Sequence, residues 1–290
     1  MKITLKAYAK INLMLDILSR LENGYHDLYM VMQSVSLYDE VSVSETATGD
    51  ITITCDVPSI PTDEKNIAYK AAKAFFDYTK IENSGINIDI KKNIPHAAGL
   101  AGGSTDGAAV IVALNEIFNT GLREKDIIAI GSKVGADVPF CALGGTMLAQ
   151  YTGTVLSHLP DLELPYIIIV KPSQDVSTAE AYAAFDSAER VRHLDKTAML
   201  QAVISGDYEK IYEKVGNVFE QFIDVTERVL IKDIMRKHGA KCTQMSGSGP
   251  SVFGIFEDKE KADKCLAELK KNYEQSYLCS STDSGCERIS

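Results

Sequence analysis

This chain has no excess of positive charge, no long hydrophobic run and no paired-cysteine spacing, and each absence removes a class of function. Acidic residues number 40 against 30 basic ones, a formal net charge of -10. Proteins that hold nucleic acid or an anionic membrane along a broad face need a basic patch, so neither partner is expected. Nowhere do the roughly 18 consecutive apolar residues of a membrane-crossing helix occur. Met1 to Tyr8 is short, mixed and strand-like, unlike an apolar leader, so no secretory signal is expected and a cytoplasmic location is. The six cysteines, Cys55, Cys141, Cys242, Cys265, Cys279 and Cys286, are scattered and read as reduced thiols. Cys279 and Cys286 bracket a Ser-rich tail that could be bridged, although a frayed terminus is the plainer reading.

Metal-centred and triad chemistry also find little support. The five histidines show no ligand spacing and no HExxH occurs. No internal repeat or low-complexity tract is visible.

At 290 residues with 45% hydrophobic content, the chain can bury a substantial core, and two domains are expected. Period-two alternation marks strands at Ile3–Tyr8, Val41–Ser44, Ile51–Thr54 and, most cleanly, Gly85–Lys91. The second and third suggest a hairpin around Gly49-Asp50. Ile67, Ala71, Ala74, Phe75 and Tyr78 share one helical face. Further helices are expected from Ser104 to about Phe118, and from about Glu124 to a left-handed cap at Gly135. Strands follow at Thr146–Tyr151 and Thr154–His158. Pro160 to Pro165 breaks the pattern, which divides the chain into domains 1–160 and 161–290. The second half mixes helices with strands at Tyr166–Val170, Lys241–Met245, Val252–Phe256 and Ser276–Cys279. Irregular mixing of this kind favours an α+β fold over a doubly wound sheet.

Chemistry gathers in three places. Pro95-His96-Ala97-Ala98-Gly99-Leu100-Ala101-Gly102-Gly103-Ser104-Thr105 lies directly between a strand and an apolar helix. Its glycines allow backbone to approach a ligand closely, and N–H groups without partners converge at a helix N-terminus. Ser104 and Thr105 can cap the helix or touch phosphate. Taken alone the segment serves equally as a flexible turn, and it matches neither the Walker A pattern nor G-x-G-x-x-G. Lys10, in Ala9-Lys10-Ile11-Asn12-Leu13, could supply positive charge, although a lone lysine there is usually solvated. Asp137, in Gly135-Ala136-Asp137-Val138-Pro139, sits in a fixed turn; near a lysine and a hydroxyl it would serve as base or orienting group. Met245-Ser246-Gly247-Ser248-Gly249-Pro250-Ser251 joins two strands and offers backbone donors.

In this order, with Asn23-Gly24-Tyr25-His26-Asp27-Leu28 and Val176-Ser177-Thr178-Ala179-Glu180-Ala181-Tyr182, these segments are far more specific than any one of them. The chain resembles, over essentially its whole length, the superfamily of galactokinase, homoserine kinase, mevalonate kinase and phosphomevalonate kinase (GHMP kinases). The likeness is strongest to the branch whose acceptor is a cytidylated polyol of the non-mevalonate isoprenoid route. The resemblance implies a two-domain fold, ribosomal-protein-S5-domain-2-like at the N-terminus and ferredoxin-like at the C-terminus, with small-molecule substrates between. It implies ATP as co-substrate on residues 95–105, and Lys10 and Asp137 as the catalytic pair. Asn12, Tyr25, His26, Thr178 and Tyr182 would then line the cytidyl side, with Tyr25 and Tyr182 sandwiching the base. Mg²⁺ would be carried with the nucleotide, with no protein ligand assigned. Rival readings are another kinase of the superfamily, or a non-catalytic binding protein on the same fold. The superfamily loop commonly reads Gly-Leu-Gly-Gly-Gly-Ser-Ser; here Ala101 and Thr105 depart from it. Phosphate access is expected to survive if position 101 needs no positive φ.

Overall fold

The computed structural model describes residues 1–289. In chain order the first half runs β1 (Lys2–Arg20), β2 (His26–Glu45), β3 (Ile51–Cys55), α1 (Ile67–Thr79), β4 (Ile86–Lys91) and α2 (Gly102–Ile117). It continues with α3 (Glu124–Gly131), α4 (Val138–Leu143), β5 (Thr146–Tyr151) and β6 (Val155–His158). The second half is β7 (Tyr166–Val170), α5 (Thr178–Asp186), α6 (Lys196–Ser205), α7 (Tyr208–Lys214), β8 (Gly216–Asn217) and α8 (Thr226–Lys237). It ends with β9 (Cys242–Met245), β10 (Val252–Phe256), α9 (Lys259–Leu269), β11 (Ser276–Cys279) and β12 (Cys286–Arg288). This is the mixed α+β architecture that the sequence predicts.

The larger sheet has the strand order β12-β1-β2-β4-β3, with β5 and β8 added to β2 and β1. Its helical face buries Ile3, Leu5, Ile88, Ile90, Phe75, Ile111 and Leu114 against α1 and α2. The smaller sheet, β11-β7-β10-β9, is buried on both faces. Ile168, Val170, Val252 and Phe256 pack on α8 and α9, while Ile167, Ile169, Phe253 and Ile255 pack on the back of β1 and on α6 and α7. Strict alternation along β7 and β10 therefore welds the two halves together.

Four expectations change. The hairpin around Gly49-Asp50 does not form, because β4 inserts between β2 and β3, pairing antiparallel with one and parallel with the other. Turn residues signal a reversal, but local sequence does not say which strands pair across it. The helix expected to reach Gly135 stops at Gly131, and Gly135 is absent from the left-handed positions. The tail is not frayed: β12 pairs with Leu5–Ala7 of β1, and Thr282 and Ser280 bond to Ser34 and Ser36. Finally, the first strand runs on to Arg20 instead of ending near Tyr8, with register shifts between Tyr8 and Ala9 and between Asn12 and Met14.

Those shifts place the site. Ile3, Leu5 and Ala7 face the helical layer, Ala9, Ile11 and Leu13 face the smaller sheet, and Leu15 and Ile17 face the helices again. Each bulge moves the alternation by one residue, and a one-residue slip sends side chains to the opposite face. Between the two bulges, Lys10 and Asn12 are left on the helical side, where α2 and α4 begin.

Candidate active site

A cavity of about 890 Å³ opens where the heads of α2, α4 and α5 meet β1 and the β9–β10 loop. Lys10, buried on β1, extends Nζ to 3.6 Å from Asp137 Oδ2 and donates to Asn12 Oδ1 at 2.7 Å. Asp137 stands at the N-cap of α4 with no side-chain capping bond, and Pro139 fixes the turn that follows. Its carboxylate is therefore free to face Lys10 and the cavity. It is the only acidic side chain among the described lining residues.

Residues 95–99 and 101–104 line the same cavity. Ala101 caps α2 at φ +61 with no side-chain cap, so the first N–H groups of the helix, from Gly102 onward, have no intrahelical partners. Donors without partners and a positive dipole end suit a polyanion. The condition set for position 101 is not met: it does require positive φ, and alanine carries a strain there that glycine would not. Leu100 and Thr105 face away. Leu100 is fully buried and its carbonyl accepts from Lys10 N, while Thr105 Oγ1 donates to Tyr8 O at 2.6 Å. The Thr105 hydroxyl thus fastens α2 to β1, and the residue lies outside the cavity lining.

The loop is braced from the second half of the chain. Ser246 Oγ donates to Gly99 O at 2.9 Å, and Ser251 N donates to Ala98 O at 3.3 Å. Asn12, expected to line the substrate side, lies fully buried behind the wall; its Oδ1 accepts from Lys10 Nζ and from Gly247 N at 3.1 Å. One carboxamide therefore fixes both the lysine and the glycine–serine loop.

At the opposite end, Tyr25 is 67% exposed on the β1–β2 turn. The His26 ring stacks on Tyr182 at 4.5 Å and 23°, and Phe219 meets Tyr182 edge-on at 5.1 Å. A Tyr25–Tyr182 sandwich must therefore accommodate the imidazole already lying on Tyr182. Burial and, after it, the charge of Asp137 push the Tyr182 phenol up to about 12, so it stays protonated. Thr178 Oγ1 lies 2.9 Å from Ser248 Oγ, joining α5 to the glycine–serine loop.

Sequence reasoning missed three side chains. Asp186 Oδ1 lies 2.7 Å from His26 Nε2 and so orients that ring. Phe219 supports Tyr182. Lys92 lines the cavity beneath Gly102. A signal existed for the last: Ile86, Ile88 and Ile90 are buried on one face of β4, and Lys92 falls in phase with them.

The GHMP kinases N terminal domain matches residues 66–145, and the GHMP kinases C terminal domain matches residues 199–275. The 4-diphosphocytidyl-2-C-methyl-D-erythritol kinase of Clostridium acetobutylicum is 41% identical over 275 residues, covering 94% of this chain and 98% of that protein. The enzyme of the same name from Acetivibrio thermocellus is 45% identical over 268 residues, covering 91% and 93%. A solved 4-(cytidine 5'-diphospho)-2C-methyl-D-erythritol kinase superposes with TM-score 0.78 at 28% identity, over 97% of this chain and 99% of that one. Homoserine kinase from Cytophaga hutchinsonii superposes with TM-score 0.81 at 21% identity, over 99% and 97%, a likeness of fold alone. The chain belongs to the GHMP kinases, within the family of 4-diphosphocytidyl-2-C-methyl-D-erythritol kinases.

Proposed function

We propose that this protein transfers the γ-phosphoryl group of ATP to the 2-hydroxyl of 4-diphosphocytidyl-2-C-methyl-D-erythritol. The observation that carries the chemistry is the meeting of Lys10 with Asp137 at 3.6 Å, beside a helix head whose N–H groups are uncapped. Phosphoryl transfer asks a protein mainly for positioning and charge neutralisation. The backbone donors at the head of α2 hold the phosphates, and Lys10 faces the oxygens on which charge collects. Asp137 orients the acceptor hydroxyl and takes its proton as the hydroxyl oxygen bonds to phosphorus and the bond to ADP breaks.

Among the described residues no group of three or more His, Cys, Asp or Glu side chains gathers as a metal cage. A Mg²⁺ ion carried with the nucleotide would neutralise further charge on the phosphates. Tyr25, His26, Thr178 and Tyr182 at the far end take the cytidyl group, where aromatic faces favour a base.

ADP release measured with the cytidylated substrate, homoserine and mevalonate in parallel tests the reading. Turnover with the first alone is expected. Preference for either of the others would assign the site to another branch of the superfamily, and no turnover with any would leave a binding protein. No described helix is long and apolar enough to cross a membrane.

A further inference from the structure

Beneath the phosphate loop lies a buried charge cluster that the reaction leaves unused. Lys92 Nζ bonds Asp39 Oδ2 and donates to Asp106 Oδ2 at 2.7 Å. The three side chains are only 6%, 0% and 4% exposed. Asp39 is fully satisfied, since its Oδ1 also accepts from Asn93 N at 2.6 Å and Ile94 N at 2.8 Å. Asp106 is not: its Oδ1 is buried with no hydrogen-bond partner. Two carboxylates and one ammonium would leave net negative charge in a dry site, and an unpartnered carboxylate oxygen there is costly. One proton on Asp106 removes the net charge and with it most of the cost.

The cluster touches the loop directly. A methyl group on Gly102 would stand 3.3 Å from Lys92 Nζ, and Lys92 lines the cavity. Few other titratable groups face it. Asp56 accepts from Lys92 N at 3.0 Å, the Cys55 and Cys286 thiols lie within the field of Asp106, and the Cys141 thiol of α4 lies against neighbouring Thr105. On the flanking residues of α2, the Tyr8 carbonyl of β1 meets Thr105, and Ile67 and Ala71 of α1 lie against Gly107.

We propose, on the reading that residues 95–104 hold ATP, that Lys92 is a positioning residue for the nucleotide and that Asp106 binds a proton when ATP binds. The pair keeps the ground beneath the triphosphate free of net negative charge, and affinity falls as Asp106 ionises. The electrostatics agree with the geometry. Burial raises the Asp106 carboxyl, Lys92 draws it back and Asp39 pushes it up again, leaving it at about 8. Burial draws the Lys92 ammonium down, but Asp106 and Asp39 more than restore it. A bound polyanion favours the protonated acid, so binding takes up a proton, and affinity is greatest below this range and declines through it.

Calorimetric titration of the whole protein with ATP and Mg²⁺, in buffers of differing ionisation enthalpy, tests this without any acceptor substrate. Between about pH 7 and pH 9 the parent should weaken severalfold and take up a fraction of a proton per ATP. Asp106→Asn should show neither effect. Lys92→Met should bind ATP at least about tenfold more weakly, because it strands two carboxylates. Lys92→Met/Asp106→Asn should recover much of that loss. The same proton uptake in Asp106→Asn as in the parent, or a double variant no better than Lys92→Met, overturns the proposal. If Lys92→Met fails to fold, the comparison of Asp106→Asn with the parent still decides. Absence of ATP binding by the parent overturns the loop reading as well, whereas binding without proton linkage overturns the proposal alone.

Discussion

Lys10 Nζ and Asp137 Oδ2 lie 3.6 Å apart, brought together from a bulged strand and from the cap of a short helix. Neither position is there for stability: a lysine facing inward and a capping residue making no capping bond both cost the fold something. On the proposed reading, their use is in the transition state.

Asp137→Asn and Lys10→Met should therefore bind both substrates within about tenfold of the parent, since about 1.4 kcal/mol bounds a modest change in ground-state contacts. Turnover should drop roughly a hundredfold or more in each. Because both groups act on one transferring phosphoryl group, the double variant should be little worse than the poorer single one. Steady-state kinetics of the four proteins check this. Fully multiplicative losses would mean that the two residues act separately.

Tyr25→Ala addresses the far end of the cavity. The side chain is 67% exposed, so its removal should leave the melting temperature nearly unchanged. If Tyr25 closes over the base, losing the stacking costs about 1–3 kcal/mol, seen in KM for the cytidyl substrate and not in KM for ATP. A loss confined to ATP would reverse the assignment of the two ends.

How much of this was legible beforehand depends on whether the signal is local. The position of the glycine-rich loop between β4 and α2 was, because glycines between an alternating strand and an apolar helix stand out within about twenty residues. So were α1, α2, β4, β7 and β10, whose periodicity is nearly unbroken. The pairing of β3 with β4 was not, since a turn at Gly49-Asp50 fixes no partner. The site's geometry was hidden more deeply: odd-numbered residues of β1 stay apolar from Ile3 to Leu13 while the bulge after Tyr8 turns them to the other face. Lys92 could have been caught, as a charge in phase with three buried isoleucines. The path of the tail could not, because β12 is short and its pairing with β1 spans nearly the whole chain.

Ala101→Gly should stabilise the protein. At φ +61 an L-residue bears roughly 1–2 kcal/mol of left-handed strain, partly offset by the roughly 0.5–1 kcal/mol that glycine loses in conformational freedom on folding. A net gain of up to about 1.5 kcal/mol is expected, read as a higher urea midpoint at unchanged slope. A lower midpoint would show that the methyl group packs usefully enough to outweigh its backbone.

Gly99→Ala should do the opposite, and for a reason that reaches both substrates. Gly99 sits at φ +75, and an added Cβ would stand 2.2 Å from Ser246 O and 3.1 Å from Gly249 O. The contact is backbone against backbone, so no side chain can swing aside; the two loops must part. Left-handed strain of roughly 1–2 kcal/mol and overpacking of roughly 1–3 kcal/mol together predict a loss of about 2–5 kcal/mol. Gly121→Ala is the control: it has φ +63 with nothing within 4 Å, and should lose only the backbone share. Parting the loops also moves Ser248, bonded to Thr178, away from residues 95–104, so KM should rise for ATP and acceptor alike. Thermal melts and paired KM values decide. Equal destabilisation by the two variants would mean that the loops are free to separate, and that the bracing of the phosphate loop by the second half of the chain is incidental.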